Sequence, residues 1–213
     1  MPFVKLYTYF RSSAAYRLRI ALNLKGLPYE TVSIHLTKDG GQQHSPEFHA
    51  VNPQERVPAL KVPGGTLLQS LAIMEYLDEV YPHPAFLPED AIERANVRAV
   101  AEIIACDIHP LNNTSPLNYL RHQLKADKAA VEAWYAHWVQ TGFAAVEELI
   151  KPGPYCFGSQ VTVADICLVP QVYNARRFKV ALDGFPRIVA VDAALQALPA
   201  FDAARPEKQP DAE

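Results

Sequence analysis

Cysteine, methionine and tryptophan are all scarce in this chain: its 213 residues include three cysteines, two methionines and two tryptophans. Cys106, Cys156 and Cys167 are odd in number and show neither Cys-x-x-Cys nor metal-ligand spacing, which excludes a dithiol reductase, a zinc centre and a disulfide framework. Each is read as a small buried hydrophobe, and no metal is expected. Any thiol chemistry must then use a sulfur that the chain does not supply. No apolar run approaches the roughly 18 residues needed to span a bilayer, and the N-terminus lacks the basic and apolar regions of a secretory leader. The expectation is a cytoplasmic chain without a membrane partner. Charge of one sign is also missing: 20 Lys+Arg against 23 Asp+Glu gives a formal net charge of −3, which argues against a nucleic-acid surface. There is no internal repeat and no low-complexity segment.

The hydrophobic periodicity divides the chain in two. Phe3 to Tyr7 alternates as a strand, and a helix from about Ser13 stops at Gly26 with Pro28 behind it. A second strand runs from Thr31 to Leu36, Lys38 to Gln43 forms a flexible polar loop, and a short helix covers Ser45 to Ala50. Ala59 to Val62 and Thr66 to Leu68 flank Pro63-Gly64-Gly65 as a hairpin, followed by a helix from Ser70 to Tyr81. The order is βαβ and then ββα. Pro82, Pro84 and Pro88 make a stiff connector. Beyond it the pattern is helical: Ile92 to Ala105, a region after His109-Pro110, Ala129 to Ile150, Val163 to Phe178 and Pro186 to Leu198. The division expected is a first domain over 1–82, a linker over 83–88 and an all-helical domain over 89–213, with a frayed tail from about Pro206. Trp134 and Trp138, four residues apart, read as core packing.

Three short segments carry chemistry. Ser12 and Ser13 stand at the start of the first helix, where unpaired N–H groups and the macrodipole stabilise an anion. A serine hydroxyl there either caps the helix or holds a thiol ionised near neutral pH. Val57-Pro58 opens a strand; the bond is either trans and merely starts the strand, or cis, which would turn the Val57 N–H and C=O toward a peptide-like ligand. Gln69-Ser70 begins another helix, and Ser70 is either a cap or a seat for a carboxylate, with the Gln69 amide beside it. Thr162-Val163-Ala164-Asp165 has the spacing of a helix cap and is assigned to folding.

Taken in order, the serine corner, Val57-Pro58 and Gln69-Ser70 resemble the thioredoxin-like N-terminal domain of the glutathione transferases. The segments Arg11-Ser12-Ser13, Arg17 to Leu22, Lys38 to Gln43, Gln69 to Ile73 and Cys167 to Val172 resemble the zeta class, the maleylacetoacetate isomerases, and the likeness continues through Gln209-Pro210-Asp211. That resemblance implies a thioredoxin-like α/β domain followed by an all-helical domain, and glutathione as cofactor. Gln43, Val57, Pro58, Gln69 and Ser70 would bind it, while Ser12 or Ser13 would face its sulfur. It implies a homodimer and a maleyl dicarboxylate substrate isomerised about its double bond. Arg11 and either Arg176 or Arg177 would bind the substrate carboxylates, Arg177 being the better match to the family's substrate arginine. His109, Asn112 and Asn113, after a helix kink at Pro110, would line a cleft between domains. Tyr9 reads as strand packing or cleft lining, and Arg17 and Arg19 as structural. One departure stands out: the zeta class carries Ser-Ser-Cys where this chain has Ser12-Ser13-Ala14. Maleylpyruvate isomerases also resemble the chain at Cys106 to Pro110 and at Asn112-Asn113. The alternatives are therefore maleylpyruvate isomerisation, glutathione transfer to small electrophiles, or a non-catalytic scaffold.

Overall fold

A computed structural model describes residues 4–213; Phe3, which the sequence pattern assigns to the first strand, lies outside them. The chain divides into two compact units, 1–85 together with Leu198–Glu213, and Phe86–Ala197. The final segment thus packs with the first unit, where the sequence reading had grouped it with the helices.

The first unit is built on a four-stranded sheet in the order β2-β1-β3-β4. β1 (Lys5–Thr8) runs parallel to β2 (Glu30–Ser33) and antiparallel to β3 (Ala59–Val62), which forms a hairpin with β4 (Gly65–Leu68). A parallel pair needs a crossover, and α1 (Ser13–Leu24) supplies it. Leu6 lies opposite Leu60 across the β1–β3 ladder, and both are fully buried. Leu18, Ile20 and Leu22 of α1, with Ile73, Met74 and Leu77 of α3 (Ser70–Val80), complete this apolar layer, each contributing roughly 1.5–3 kcal/mol by its burial. Tyr7 points to the opposite face and meets Phe48 of α2 (Pro46–Val51), ring centroids 5.9 Å apart. β2 stops at Ser33, short of the expected Leu36; the Ile34 N–H makes a last bond to the Thr8 carbonyl at 2.8 Å, and Ile34 and Leu36 pack against the apolar cluster around Phe48. Lys25 closes the back of the unit, its buried ammonium donating to the Asp78 carboxylate and to the Tyr81 and Pro84 carbonyls.

The second unit is helical: α4 (Ala91–Glu102), α5 (Thr114–His122), α6 (Lys128–Leu149), α7 (Val163–Arg177) and α8 (Pro186–Gln196). α7 is buried over most of its length and packs on α4 and α8. Its start is tied by Asp165, whose carboxylate accepts from the N–H groups of Thr162 and Cys156 and from the Thr162 hydroxyl at 2.7–2.8 Å. Burial pushes that carboxyl above the ordinary aspartate range, opposed by those hydrogen bonds. This agrees with its assignment to folding. α4 does not run on to Ala105; it passes into a π-helical turn over Ile103–Ile108 and a 3-10 turn over His109–Asn112.

α9 (Pro199–Ala203) returns to the first unit and packs on α1. The tail beyond Pro206 is not frayed. It forms a 3-10 turn over Pro206–Lys208, the Gln209 amide donates to the Ala203 and Arg205 carbonyls, and the Asp211 carboxylate accepts the Phe10 N–H at 3.1 Å.

Candidate active site

The serine corner is a tight turn between β1 and α1. The Ser12 N–H donates to the Tyr9 carbonyl at 2.9 Å, and Ser12 caps α1, its Oγ accepting the Ala15 N–H at 3.2 Å. An oxygen that accepts in this way keeps its own proton to donate. The capping and sulfur-facing readings of Ser12 are therefore compatible. Ser13, the first residue of α1, is buried. Beneath the turn, Tyr9, Phe10, Phe48 and Val57 form one buried apolar cluster, so the corner and Val57 share a foundation. Burial raises the Tyr9 phenol pKa, and its ring packs against Phe10 and His35, in keeping with a packing role. Arg11 is exposed, with its guanidinium 4.7 Å above the Phe10 ring.

The second and third segments belong to the same unit. The Val57–Pro58 bond is cis and directly precedes β3. Gln69, at φ 68°, occupies a backbone region that costs a non-glycine residue about 1–3 kcal/mol, and its amide donates to Gln54 Oε1 at 2.7 Å. Ser70 opens α3 and is buried, its Oγ accepting from Arg17 at 3.2 Å. Gln54 is presented by a turn in which Asn52 accepts its N–H and donates to the Arg56 carbonyl. Glu55, in the same turn, bridges His44 and His49, which hold its carboxyl below the usual glutamate range. The polar stretch from Lys38 forms two 3-10 turns, Lys38–Gly40 and Gln42–His44. They are tied down by reciprocal hydrogen bonds between His35 and Gln42. Gln43 donates to the Leu36 carbonyl, and its Oε1 is a buried acceptor with no hydrogen-bond partner among the described residues.

In the helical unit, Asn113 caps α5 through the Thr114 N–H at 2.7 Å and lies 3.3 Å from His109 Nε2. Asn112 is buried and donates to the Tyr135 carbonyl. The two arginines at the end of α7 differ. Arg176 pairs with Asp192 of α8, a buried carboxylate, whereas the Arg177 guanidinium lies 4.6 Å above the Phe178 ring. Phe178 stacks on Tyr135 at 4.0 Å, and the two rings wall a cavity of about 350 Å³ whose lining includes Leu117, Arg121 and Val131.

The family model for the glutathione S-transferase N-terminal domain matches residues 2–79, and that for the C-terminal domain matches residues 128–204. The chain belongs to the glutathione S-transferase family. The maleylacetoacetate isomerase of Pseudomonas aeruginosa is 53% identical to this transferase over 209 residues, covering 98% of each chain. A solved bacterial zeta-class transferase, described as the holo structure of maleylpyruvate isomerase, is 51% identical with a TM-score of 0.95, covering 98% of this chain and 100% of the other. Maleylacetoacetate isomerase from Anaeromyxobacter dehalogenans is 39% identical with a TM-score of 0.88, covering 100% of this chain and 94% of that one. It was solved with bound dicarboxyethyl glutathione and citrate in the active site. The thioredoxin-like and helical transferase fold and the zeta-class resemblance read from the sequence are thereby borne out.

Sequence reasoning missed the supports of this site. Arg17 and Arg19 are structural, as expected, but their particular partners were not legible: Arg17 holds Ser70 and Arg19 holds the serine corner, its guanidinium donating to the Tyr9 and Phe10 carbonyls and to Thr8 Oγ1. The available signal was two arginines inside the otherwise apolar run Ala14 to Leu22, since a charge on a buried helix face requires polar partners. Gln54 and Asp211 carried no comparable local signal. Cys106, expected to be buried, is exposed.

Proposed function

We propose that this chain catalyses the glutathione-dependent cis–trans isomerisation of maleylacetoacetate to its fumaryl isomer. The observation that carries the reading is the serine corner: Ser12 Oγ sits at the N-terminus of α1 with one acceptor site used by the helix and its proton left to donate. The rest of the first unit fits the cofactor. Ser70 accepts from Arg17 and likewise retains a proton for a carboxylate at the start of α3, and Gln43 Oε1 is a buried acceptor awaiting a donor. Val57 and Pro58, with Gln69, are assigned to the peptide-like body of glutathione.

When bound, glutathione supplies a sulfur nucleophile that adds reversibly to the maleyl double bond, making it a rotatable single bond. The protein's part is electrostatic and positional. Ser12 donates to the sulfur, and the dipole of α1 favours its ionised form, lowering a thiol that is otherwise mostly protonated near neutral pH. Ser13 is a secondary donor. Ala14 contributes no thiol, so the chemistry runs without a cysteine from the chain. Arg11 and Arg177 are assigned to the substrate carboxylates, since a guanidinium matches a carboxylate bidentately. Arg176 is assigned to Asp192. His109 and Asn113 are assigned to ligand contact, with Asn112 supporting them from beneath. The dicarboxyethyl glutathione held by the Anaeromyxobacter enzyme joins glutathione to a dicarboxylic group, in keeping with this substrate class.

Maleylpyruvate is the second substrate reading, favoured by the TM-score of 0.95 to a maleylpyruvate isomerase. Purified protein given each maleyl keto acid, with and without glutathione, decides between them by the ratio of kcat/KM values. Equal turnover without the thiol would defeat the mechanism, and activity confined to chlorinated electrophiles would make the chain a conjugating enzyme. Absence of glutathione binding in calorimetry would leave a scaffold. A cytoplasmic homodimer is the assembly proposed from the family resemblance, and light scattering of the purified protein tests the dimer.

A further inference from the structure

The C-terminal tail grips the serine corner at a single peptide. The Tyr9–Phe10 peptide group is held at both poles: its N–H donates to Asp211 Oδ2 at 3.1 Å, and its carbonyl accepts from Arg19 at 3.4 Å and from the Ser12 N–H at 2.9 Å. A rigid peptide plane fixed at both ends cannot swing. The Ser12 backbone is bonded to that same plane, so the plane's orientation sets where Ser12 stands. Arg19 reinforces this by donating to the Phe10 carbonyl at 3.0 Å. It is itself anchored on the Ala204 carbonyl at 3.0 Å, so the C-terminal segment holds the turn along two routes. Asp211 does not dangle, because Gln209 ties the tail to the Ala203 and Arg205 carbonyls.

We propose that Asp211 is a positioning residue for glutathione activation: by holding the Phe10 N–H it fixes the β1–α1 turn, so that the Ser12 hydroxyl is aimed at the sulfur. This rests on the reading of Ser12 as the sulfur's donor. Geometry and charge act here with opposite signs. A carboxylate near the corner opposes a thiolate through space, while the turn it orders favours one. Removing Asp211 separates the two effects.

The test uses the full-length protein with Asp211→Ala and Asp211→Asn, the second keeping a hydrogen-bond acceptor without the charge. Four quantities are measured: amide exchange at Phe10 and Ser12 without ligand, the pKa of bound glutathione from its thiolate absorbance, steady-state kinetics, and the melting temperature. For Asp211→Ala, exchange at both amides should quicken about tenfold. The bound thiol pKa should rise, and kcat should fall about tenfold, with the glutathione KM changing less than about twofold. Asp211→Asn should restore slow exchange and most of kcat. A fall in the thiol pKa of Asp211→Ala would overturn the proposal in favour of simple electrostatics. A lower melting temperature with unchanged corner exchange and unchanged thiol pKa would reduce Asp211 to a structural residue. If the unsubstituted protein leaves the bound thiol at its free value, the reading of the corner itself fails, and the role of Asp211 in activation goes with it whatever the exchange rates.

Discussion

Ser12 Oγ caps α1 and is the proposed donor to sulfur, and replacing it should show both roles. Ser12→Ala removes a helix cap, costing about 1 kcal/mol of stability, and removes the proposed donor to sulfur, lowering kcat about 100-fold with a raised pKa for bound glutathione. Ser12→Thr should retain much of both, and the pair of variants compared by thiolate absorbance and thermal melting tests the assignment. The adjacent arginines 176 and 177 separate in the same manner. Arg177→Ala should raise the KM for the maleyl substrate at least about tenfold, with the melting temperature unchanged. Arg176→Ala leaves the buried Asp192 carboxylate with only the Gln196 amide among its described partners. Because Arg176 is half-exposed, the loss should be about 1–2 kcal/mol of stability rather than substrate affinity. In the sequence only the family resemblance favours Arg177; the physical distinction is Asp192, sixteen positions from Arg176 on another helix.

At the level of elements, the π-helical turn over Ile103–Ile108 is the part of the helical unit that the apolar pattern hid. Ile103 and Ile104 fit an ordinary helix by spacing, which is why the pattern predicts a helix on to Ala105. What marks the turn is its neighbour: a Cβ on Gly142 of α6 would lie 2.3 Å from Ile108 Cγ1, and Ile108 is itself buried. The glycine makes room for the displaced turn that carries His109. Gly142→Ala should therefore destabilise the protein by about 1–3 kcal/mol through overpacking, despite the better helix propensity of alanine, and should weaken binding of any ligand that His109 touches. Denaturant melts and the KM for the maleyl substrate check both effects. By contrast, α1, α3 and the β3–β4 hairpin were legible to within a few residues, because their signals, a serine cap, a Gly-Pro stop and a Pro-Gly-Gly turn, are local. The polar, proline-rich tail misled for the opposite reason: its partner Phe10 is 201 residues away.

At the scale of the molecule, the first unit is discontinuous. Its sheet and α1 to α3 come from the start of the chain, and α9 with the tail comes from the end. Phe201 is fully buried and Ala204 accepts from Arg19, so α1 needs this late segment both for apolar cover and to satisfy a buried guanidinium. Burial lowers the Arg19 pKa to about 10, a measure of how poorly the site tolerates the charge. A fragment of residues 1–85 should accordingly fail to melt cooperatively, and the same fragment joined through a flexible linker to Leu198–Glu213 should recover a cooperative transition by circular dichroism. The connector prolines suggested a simple break near residue 85, and nothing in the local sequence hinted that the chain crosses back.

The bond between Arg19 and Ala204 spans 185 positions. On a ribosome adding about 5–20 residues per second, the arginine is made roughly 10–40 s before the carbonyl it is destined to meet. For that interval the guanidinium has its partners at Thr8, Tyr9 and Phe10 but its Nε–H lacks the carbonyl that completes the set. A helix made early in this chain is thus completed only when a segment made much later arrives.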